Sequence, residues 1–424
     1  MARNAYNMAV TADIDFTPEV HIHVQMALIT TNLGPFEKYF PKTFSDWKAL
    51  VDPCRKGQRA QDFQHHECWW YPWFALRPFF KSRGYTLFEL DVTDSNSRPC
   101  IPGPPSQDSF GLYGSETRNA KAMPNTEFFH NGIAVAARDE SNRDVVIKLL
   151  GKRSDSPDIS EEYQILCLLN TESAREDQRN ATLPVLEFID YEDWKFAVMP
   201  MWCGSAAYPL LTSEECLNLA SQLLHALAYL HEKNIAHRDI SPDNLVLNYH
   251  GHLPDLFFWS QPEGNGKFCV PIPFKPVPEF RSTFPVKYSL IDFGYSVHFP
   301  PDTPRSERLI NDRRGRPTRA PEVDSDHLYD PFTTDVYQAA QMIFSWFGWR
   351  ILNEVPKLLD LMHDMTSANP ADRISVDSAA SRMKILYDEL PPREQLARRE
   401  IDYSYLYPVP IPTHEQLAEA MSKV

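Results

Sequence analysis

The chain has 424 residues, 43% of them hydrophobic, enough for one large core or two modest ones. A formal net charge of −15 speaks against nucleic acid or an anionic membrane surface as the main partner. No stretch stays apolar for the ~18 residues that a membrane span requires; the most apolar one, Gln338 to Trp349, is short and contains Gln.

The opening MARNAYNMAV lacks the apolar centre of a signal peptide, and the 7 cysteines are dispersed without a C-x-x-C pair. Both features predict a protein of a reducing compartment, cytoplasmic or nuclear. The composition is rich in proline (36) and poor in glycine (15), so little glycine is on hand for wrapping phosphate groups.

Residues 1–127 read as an N-terminal extension and linker. Their aromatic cluster, Cys68 to Phe80, cannot stay in water and is expected to dock on the chain's own globular part. His65-His66-Glu67-Cys68 lacks a second ligand group at usual spacing, so no metal is expected there. Residues 92–127, rich in Pro, Ser, Asn and Gly, form the linker.

The pattern changes at Phe128. Gly132–Asp139 and Asp144–Leu150 read as strands around a polar turn, Glu140–Arg143. Ser160–Leu169 has helical spacing with Ile165, Leu166 and Leu169 on one side, and Pro184–Ile189 and Lys195–Met199 give two more strands. Thr212-Ser-Glu-Glu215 is a capping-box signature. Behind it, Leu217, Ala220, Leu224, Leu227 and Leu230 build one apolar helical face, with Asn234 as a left-handed stop. The stretch HRDISPDN, His237 to Asn244, follows at the end of that buried helix. The predicted organisation is a small strand-rich part at 128–201 and a larger helical part at 202–390 with an insert at about 248–288. A tail, 391–424, has Arg393–Glu400 as a solvated helix and a second amphipathic stretch near Glu415 to Met421.

Several charged residues fall at spacings that suit phosphoryl transfer. That reaction needs something to hold nucleotide phosphates, something to hold a metal, and a carboxylate that orients the attacking hydroxyl. Asp239 and Asn244 share one short loop, the first suited to receive a hydroxyl proton and the second to ligate a metal. Asp292-Phe293-Gly294 ends a strand with a second carboxylate for the metal. Lys148 ends a strand, and Glu162 on the next helix, preferred over Glu161, is its expected ion-pair partner. Ala320-Pro321-Glu322 and Arg373 offer a Glu–Arg pair, with Asp335 between them.

With Lys148, Glu162, His237–Asn244, Asp292-Phe-Gly, Ala-Pro-Glu322, Asp335 and Arg373 in this order, the chain resembles a eukaryotic-type protein kinase from about Phe128 to Leu390. It is similar in flavour to the divergent protein kinases of basidiomycete fungi, through Arg83–Leu87, Phe196–Pro200 and Ile240-Ser241. The resemblance implies an α+β, bilobal fold, with ATP and Mg²⁺ as cofactors and a protein as substrate. Met199 would be the gatekeeper, Pro200 to Trp202, with Met201, the hinge that bonds adenine, and Val246 the pocket floor. Val135 or Ala134, with Val146, would form the roof, and Gly132 would be the remnant of the glycine-rich loop. Arg238 would pair with a phosphate on the activation segment, for which Thr303, Ser306 and Thr318 are candidate acceptors.

The sequence departs from the family pattern at several points. Only Gly132 is left of the glycine-rich loop, Val146 stands where a small alanine is common, and Ser241 replaces the lysine of Ser/Thr kinases. Gly315–Arg319 does not match the usual substrate-facing motif, and the run from Asn244 to Asp292 far exceeds the family's roughly a dozen residues. The residues predict an active protein kinase, more Ser/Thr- than Tyr-directed. A pseudokinase scaffold is the alternative, and a small-molecule phosphotransferase of the same fold a third reading.

Overall fold

The computed structural model describes residues 40–48, 71–91, 96–98, 132–155, 161–205, 210–249, 281, 284–316, 318–397 and 409–422. The chain divides into two compact units. The smaller takes residues up to 105 together with 125–157 and 189–198; the larger takes 106–124, 158–188 and 199–424.

The smaller unit is built on a five-stranded sheet of order β1-β4-β5-β7-β6: β1 Tyr85–Leu87, β4 Ala134–Asp139, β5 Asp144–Lys152, β6 Glu187–Tyr191 and β7 Trp194–Pro200. Glu89–Asp91 (β2) and Asn96–Arg98 (β3) pair as a separate ribbon. The β4–β5 hairpin falls where the alternating pattern predicts it, and Asn142, at φ +60°, turns the chain between the strands. β1 was not expected from the sequence. It pairs antiparallel with β4, Tyr85 opposite Asp139 and Leu87 opposite Ala137, so part of the extension is a strand of the sheet itself.

Helix α1, Tyr71–Ser82, precedes it and buries Trp73, Leu76 and Phe80, one side of a helix by their spacing. These meet Trp47, Trp194 and Phe196 in an aromatic core: Trp47 lies 5.4 Å from Trp73 and 5.1 Å from Trp194, and Phe80 lies 5.2 Å from Phe196, ring centre to ring centre. The described part of the aromatic cluster thus docks on its own chain; the four residues His65–Cys68 lie outside the described residues. Across the hairpin, Arg138 and Asp144 form an ion pair at 2.6 Å, wholly shielded from water.

The larger unit is mainly helical. Helix α2, Glu161–Leu169, buries Glu162, Ile165, Leu166 and Leu169, and α3, Glu172–Glu176, follows it. Helix α4, Ser213–Glu232, carries the predicted apolar face. Its start differs from a reciprocal capping box. Thr212 accepts the Glu215 N–H at 3.3 Å, but the Glu215 carboxylate accepts the N–H of Leu211 at 2.7 Å instead of that of Thr212. Asn234 takes the left-handed conformation at φ +59° as its residue type allows.

Beyond it lie β9 (Ile235–Ala236), β10 (Leu245–Leu247), β11 (Tyr288–Leu290) and β12 (Val297–His298). β10 is flanked by β11 and by β8 (Cys203–Gly204), and β9 pairs with β12. Helix α5, Pro331–Ile343, runs into a π-helical turn at Phe344–Gly348. Helices α6 (Leu358–Met365), α7 (Val376–Asp388) and α8 (His414–Ser422) complete the unit, with α7 packed on α4. A sheet-based unit and a helical one are the α+β, bilobal architecture expected from the motifs.

Most of the insert lies outside the described residues, but its ends meet. Asn248 donates to Pro285 O at 3.0 Å and accepts from Lys287 N–H at 2.7 Å, and Tyr249 stacks on Phe284. Burial pushes the Tyr288 phenol up to about 12. Arg393–Glu400 is not a solvated helix over its described part. Arg393–Gln395 is a single 3₁₀ turn, and Arg393 is tied to Glu215 of α4 at 3.2 Å. No helix among the described residues is long and apolar enough to cross a membrane.

Candidate active site

The loop that follows α4 and β9 is held by α5. Asp335 is wholly buried; its carboxylate accepts the N–H of His237 at 2.7 Å and of Arg238 at 2.6 Å, and His231 Nε2 lies 3.1 Å from it. One turn further along α5, Gln338 accepts the Ile240 N–H at 3.1 Å and donates to Arg238 O at 3.2 Å. The backbone is therefore gripped on both sides of Asp239. Arg238 sits at φ +68°, a strained conformation for a residue with a side chain. The ring of His237 closes the loop onto the strand behind it, with Nε2 at 3.1 Å from Ile291 O.

Asp239 and Asn244 come together as their spacing suggests. Asn244 Nδ2 donates to Asp239 O at 2.8 Å and to Asp239 Oδ2 at 2.7 Å, while the Pro242–Asn244 turn bends the chain between them. Both hydrogen bonds of the Asn244 side chain use Nδ2, which leaves Oδ1, the metal-ligating type of atom, outside them. The Ile291 N–H bonds Asn244 O at 3.1 Å, which sets Asp292 beside the loop.

Asp292 has φ +65°, so the chain turns sharply at the carboxylate itself, two residues before Gly294. Gly294 is needed for space: a Cβ there would lie 3.3 Å from Asp292 Oδ1 and 3.8 Å from Glu162 Oε2. Two carboxylates thus border one small volume, an arrangement that repels unless a cation joins them. Phe293 is buried, and its N–H donates to Glu162 Oε1 at 3.2 Å, whereas Glu161 is exposed and accepts from His298 N–H. Asparagine and aspartate oxygens suit magnesium, which takes few protein ligands and completes its shell with water and substrate phosphates.

Met199, Trp202 and Val246 meet Leu183 in one apolar cluster, with Ile291 and Val185 against it; Met201 is wholly buried and not part of it. The Trp202 indole N–H is buried there without a partner. The Trp202 backbone N–H donates to Pro200 O at 3.1 Å, a bond within the stretch expected to be the hinge.

The remaining residues lie in the smaller unit. Lys148 faces Ala134 across the β4–β5 pair, and Val146 faces Ala136. Since side chains alternate along a strand, these four share one sheet face, while Val135, opposite Ile147, points to the other. Of the two residues offered for the roof, Ala134 and not Val135 shares the face of Lys148. Gly132, at φ +59°, has its carbonyl bonded by two indoles, Trp47 at 3.2 Å and Trp73 at 2.9 Å.

In the larger unit, Arg373 donates to Glu322 Oε2 at 2.8 Å and through Nη1 to Glu322 Oε1, with its own side chain wholly shielded. This joins the segment Asp292–Glu322 to the start of α7.

The protein kinase domain model matches residues 132–352, more than half of the chain. The chain belongs to the protein kinase family. Among curated relatives, it is 26% identical over 152 residues to the CBL-interacting protein kinase 9 of Oryza sativa subsp. japonica, covering 36% of this chain and 25% of the relative. It is 28% identical over 141 residues to the serine/threonine-protein kinase D of Synechocystis, covering 32% and 28%. It is 27% identical over 262 residues to the nitrogen permease reactivator protein of Saccharomyces cerevisiae, covering 59% and 26%. The chain spans about a quarter of the length of these relatives.

Two residues that bond the loop His237–Asn244 lie outside the motifs read from the sequence. Gln338 stands three places after Asp335 as a polar residue in an apolar run, a signal that helical spacing could have caught. Arg316 reaches Asp239 Oδ1 with Nε at 2.9 Å and Asp243 Oδ2 with Nη1 at 2.6 Å from more than seventy residues away, and no local pattern announces it.

Proposed function

We propose that this chain is an ATP-dependent protein kinase that moves the γ-phosphate of ATP to a protein hydroxyl, with Ser or Thr preferred to Tyr. The observation that carries the reading is the held carboxylate of Asp239, bonded to Asn244 inside a loop clamped by Asp335 and Gln338. In the reaction the substrate hydroxyl oxygen bonds to the γ-phosphorus. The bond from that phosphorus to the bridging oxygen breaks, with its electron pair leaving on ADP, and the hydroxyl proton passes to Asp239.

Within the larger unit, Asn244 and Asp292 are assigned to hold the metal and Met199, Trp202 and Val246 to border adenine; Lys148, Ala134 and Val146 keep the nucleotide roles that the family resemblance implies. Magnesium, when bound, would supply neutralisation of charge on the phosphate oxygens. The unpartnered Trp202 indole N–H supports a ligand with a ring-nitrogen acceptor in the apolar cluster. The finer resemblance to basidiomycete kinases belongs to this reading, as do a protein rather than nucleic-acid substrate and a cytosolic or nuclear setting. The net charge of −15 and the scattered cysteines support the last two.

Thermal shift with ATP, with and without Mg²⁺, tests the site on wild type and Asp292→Ala. A Mg-dependent rise absent from the variant is expected, together with phosphate transfer that Asp239→Ala abolishes. The loss of all but Gly132 from the glycine-rich loop favours the pseudokinase scaffold as second reading; it takes over if millimolar nucleotide produces no shift.

A further inference from the structure

Ser241 lies midway between Asp239 and Asp243. Its hydroxyl is buried and has no hydrogen-bond partner, so this position gives the loop no cation and no donor to a neighbour. The guanidinium of Arg316 bonds the residue two places before Ser241 and the residue two places after it. A cation thus bridges the two carboxylates that flank the position where the family resemblance places a lysine.

The approach is built into the segment. Gly315, at φ +142°, takes a conformation that side chains disfavour, and Arg319 Nη1 holds its carbonyl at 3.2 Å. Arg316 remains 36% exposed, so it is reachable from solvent while bonded. Burial lowers the affinity of its guanidinium for a proton, but the carboxylates of Asp239 and Asp243 more than offset this, so it stays charged throughout.

We propose that Arg316 is the positioning residue of the catalytic loop, supplying from elsewhere in the same chain the cation that Ser241 lacks and fixing the Asp239 carboxylate for the incoming hydroxyl. This rests on the kinase reading above. With Arg316 on Oδ1 and Asn244 on Oδ2, each oxygen keeps a second lone pair, one of which receives the hydroxyl proton during transfer. The charge on Arg316 offsets the two carboxylates as the anionic phosphoryl group arrives beside them.

The test compares wild type, Arg316→Ala and Arg316→Ala with Ser241→Lys, using labelled ATP and a degenerate Ser/Thr peptide mixture. Loss of the arginine is expected to lower kcat roughly 10- to 1,000-fold with KM for ATP unchanged. The other charged or titratable groups in contact with the loop, Asp243, His237, Arg238, Asp335 and His231, are common to all three proteins. Lysine at 241 should restore most of the rate.

Arg316→Ala as active as wild type, or more active, overturns the proposal; so does failure of Ser241→Lys to rescue a variant that melts like wild type. A wild type that transfers no phosphate overturns the kinase reading and this one with it, whereas equal transfer by wild type and Arg316→Ala overturns this one alone.

Discussion

Arg238 is already paired with a carboxylate. Its Nη2 lies 2.9 Å from Asp312 Oδ2 and 3.1 Å from Asp312 O, while Nη1 donates to Tyr295 O at 2.8 Å. The sequence reading reserved this arginine for a phosphate on Thr303, Ser306 or Thr318. Instead an aspartate of the same segment holds it, so the segment is tied to the catalytic loop without modification.

Activity is therefore expected to survive phosphatase treatment and the triple change of Thr303, Ser306 and Thr318 to Ala, and to fall at least tenfold, about 1.4 kcal/mol, in Asp312→Asn. Hydrogen bonds from Arg314, then from Arg238, hold the Asp312 carboxyl well below the usual carboxylate range against its partial burial. A lowered folded-state pKa means that the pair stabilises fully above the unfolded aspartate value of about 3.9, and that this stability is lost as pH falls below it. Melting temperature followed from pH 7 downward should drop less steeply in Asp312→Asn than in wild type. Activity that requires phosphorylation would contradict the assignment.

Gln338 yields a second expectation. It satisfies a backbone donor and a backbone acceptor on opposite sides of Asp239. Gln338→Leu orphans both in a buried place, at about 1–3 kcal/mol for each group left unpaired. Denaturant unfolding should show that loss, and kcat should fall while the thermal shift with Mg-ATP stays as in wild type. A kcat equal to wild type would mean that the loop holds its shape through Asp335 alone.

The two indoles on Gly132 form a redundant pair, and redundancy predicts non-additivity. Trp73→Phe or Trp47→Phe leaves the carbonyl one donor, at about 1 kcal/mol for the bond lost. The double variant orphans the carbonyl and should lose more than the sum of the two, by a further 1 kcal/mol or so. A double-mutant cycle by urea unfolding reads this directly. Strict additivity would show that water reaches Gly132 O when the indoles are gone.

What the sequence made legible followed from its two periodicities and from motif order. The β4–β5 hairpin, the apolar face of α4 and the meeting of Asp239 with Asn244 all rest on short-range spacing, and short-range spacing is preserved in the fold. Arg316 on Asp239, Asp312 on Arg238 and β1 on β4 are contacts between residues far apart in sequence, with nothing in their local pattern to name the partner. The left-handed turn at Asp292 rather than Gly294 was hidden for another reason. Residue type gives only a preference, and here the backbone is bent at a carboxylate while the glycine serves the space beside it.

The addition of β1 to the sheet changes where this domain can be cut. Expressed from residue 132 to 352, the span of the family match, the chain would lose β1 and present β4 as a bare edge, with unpaired amides ready to recruit another chain. It would also strip Trp73 and Phe80 from the aromatic core and leave Glu322 without Arg373. A fragment chosen by homology alone would thus aggregate in the cell, and its insolubility would say nothing about whether the full chain transfers phosphate.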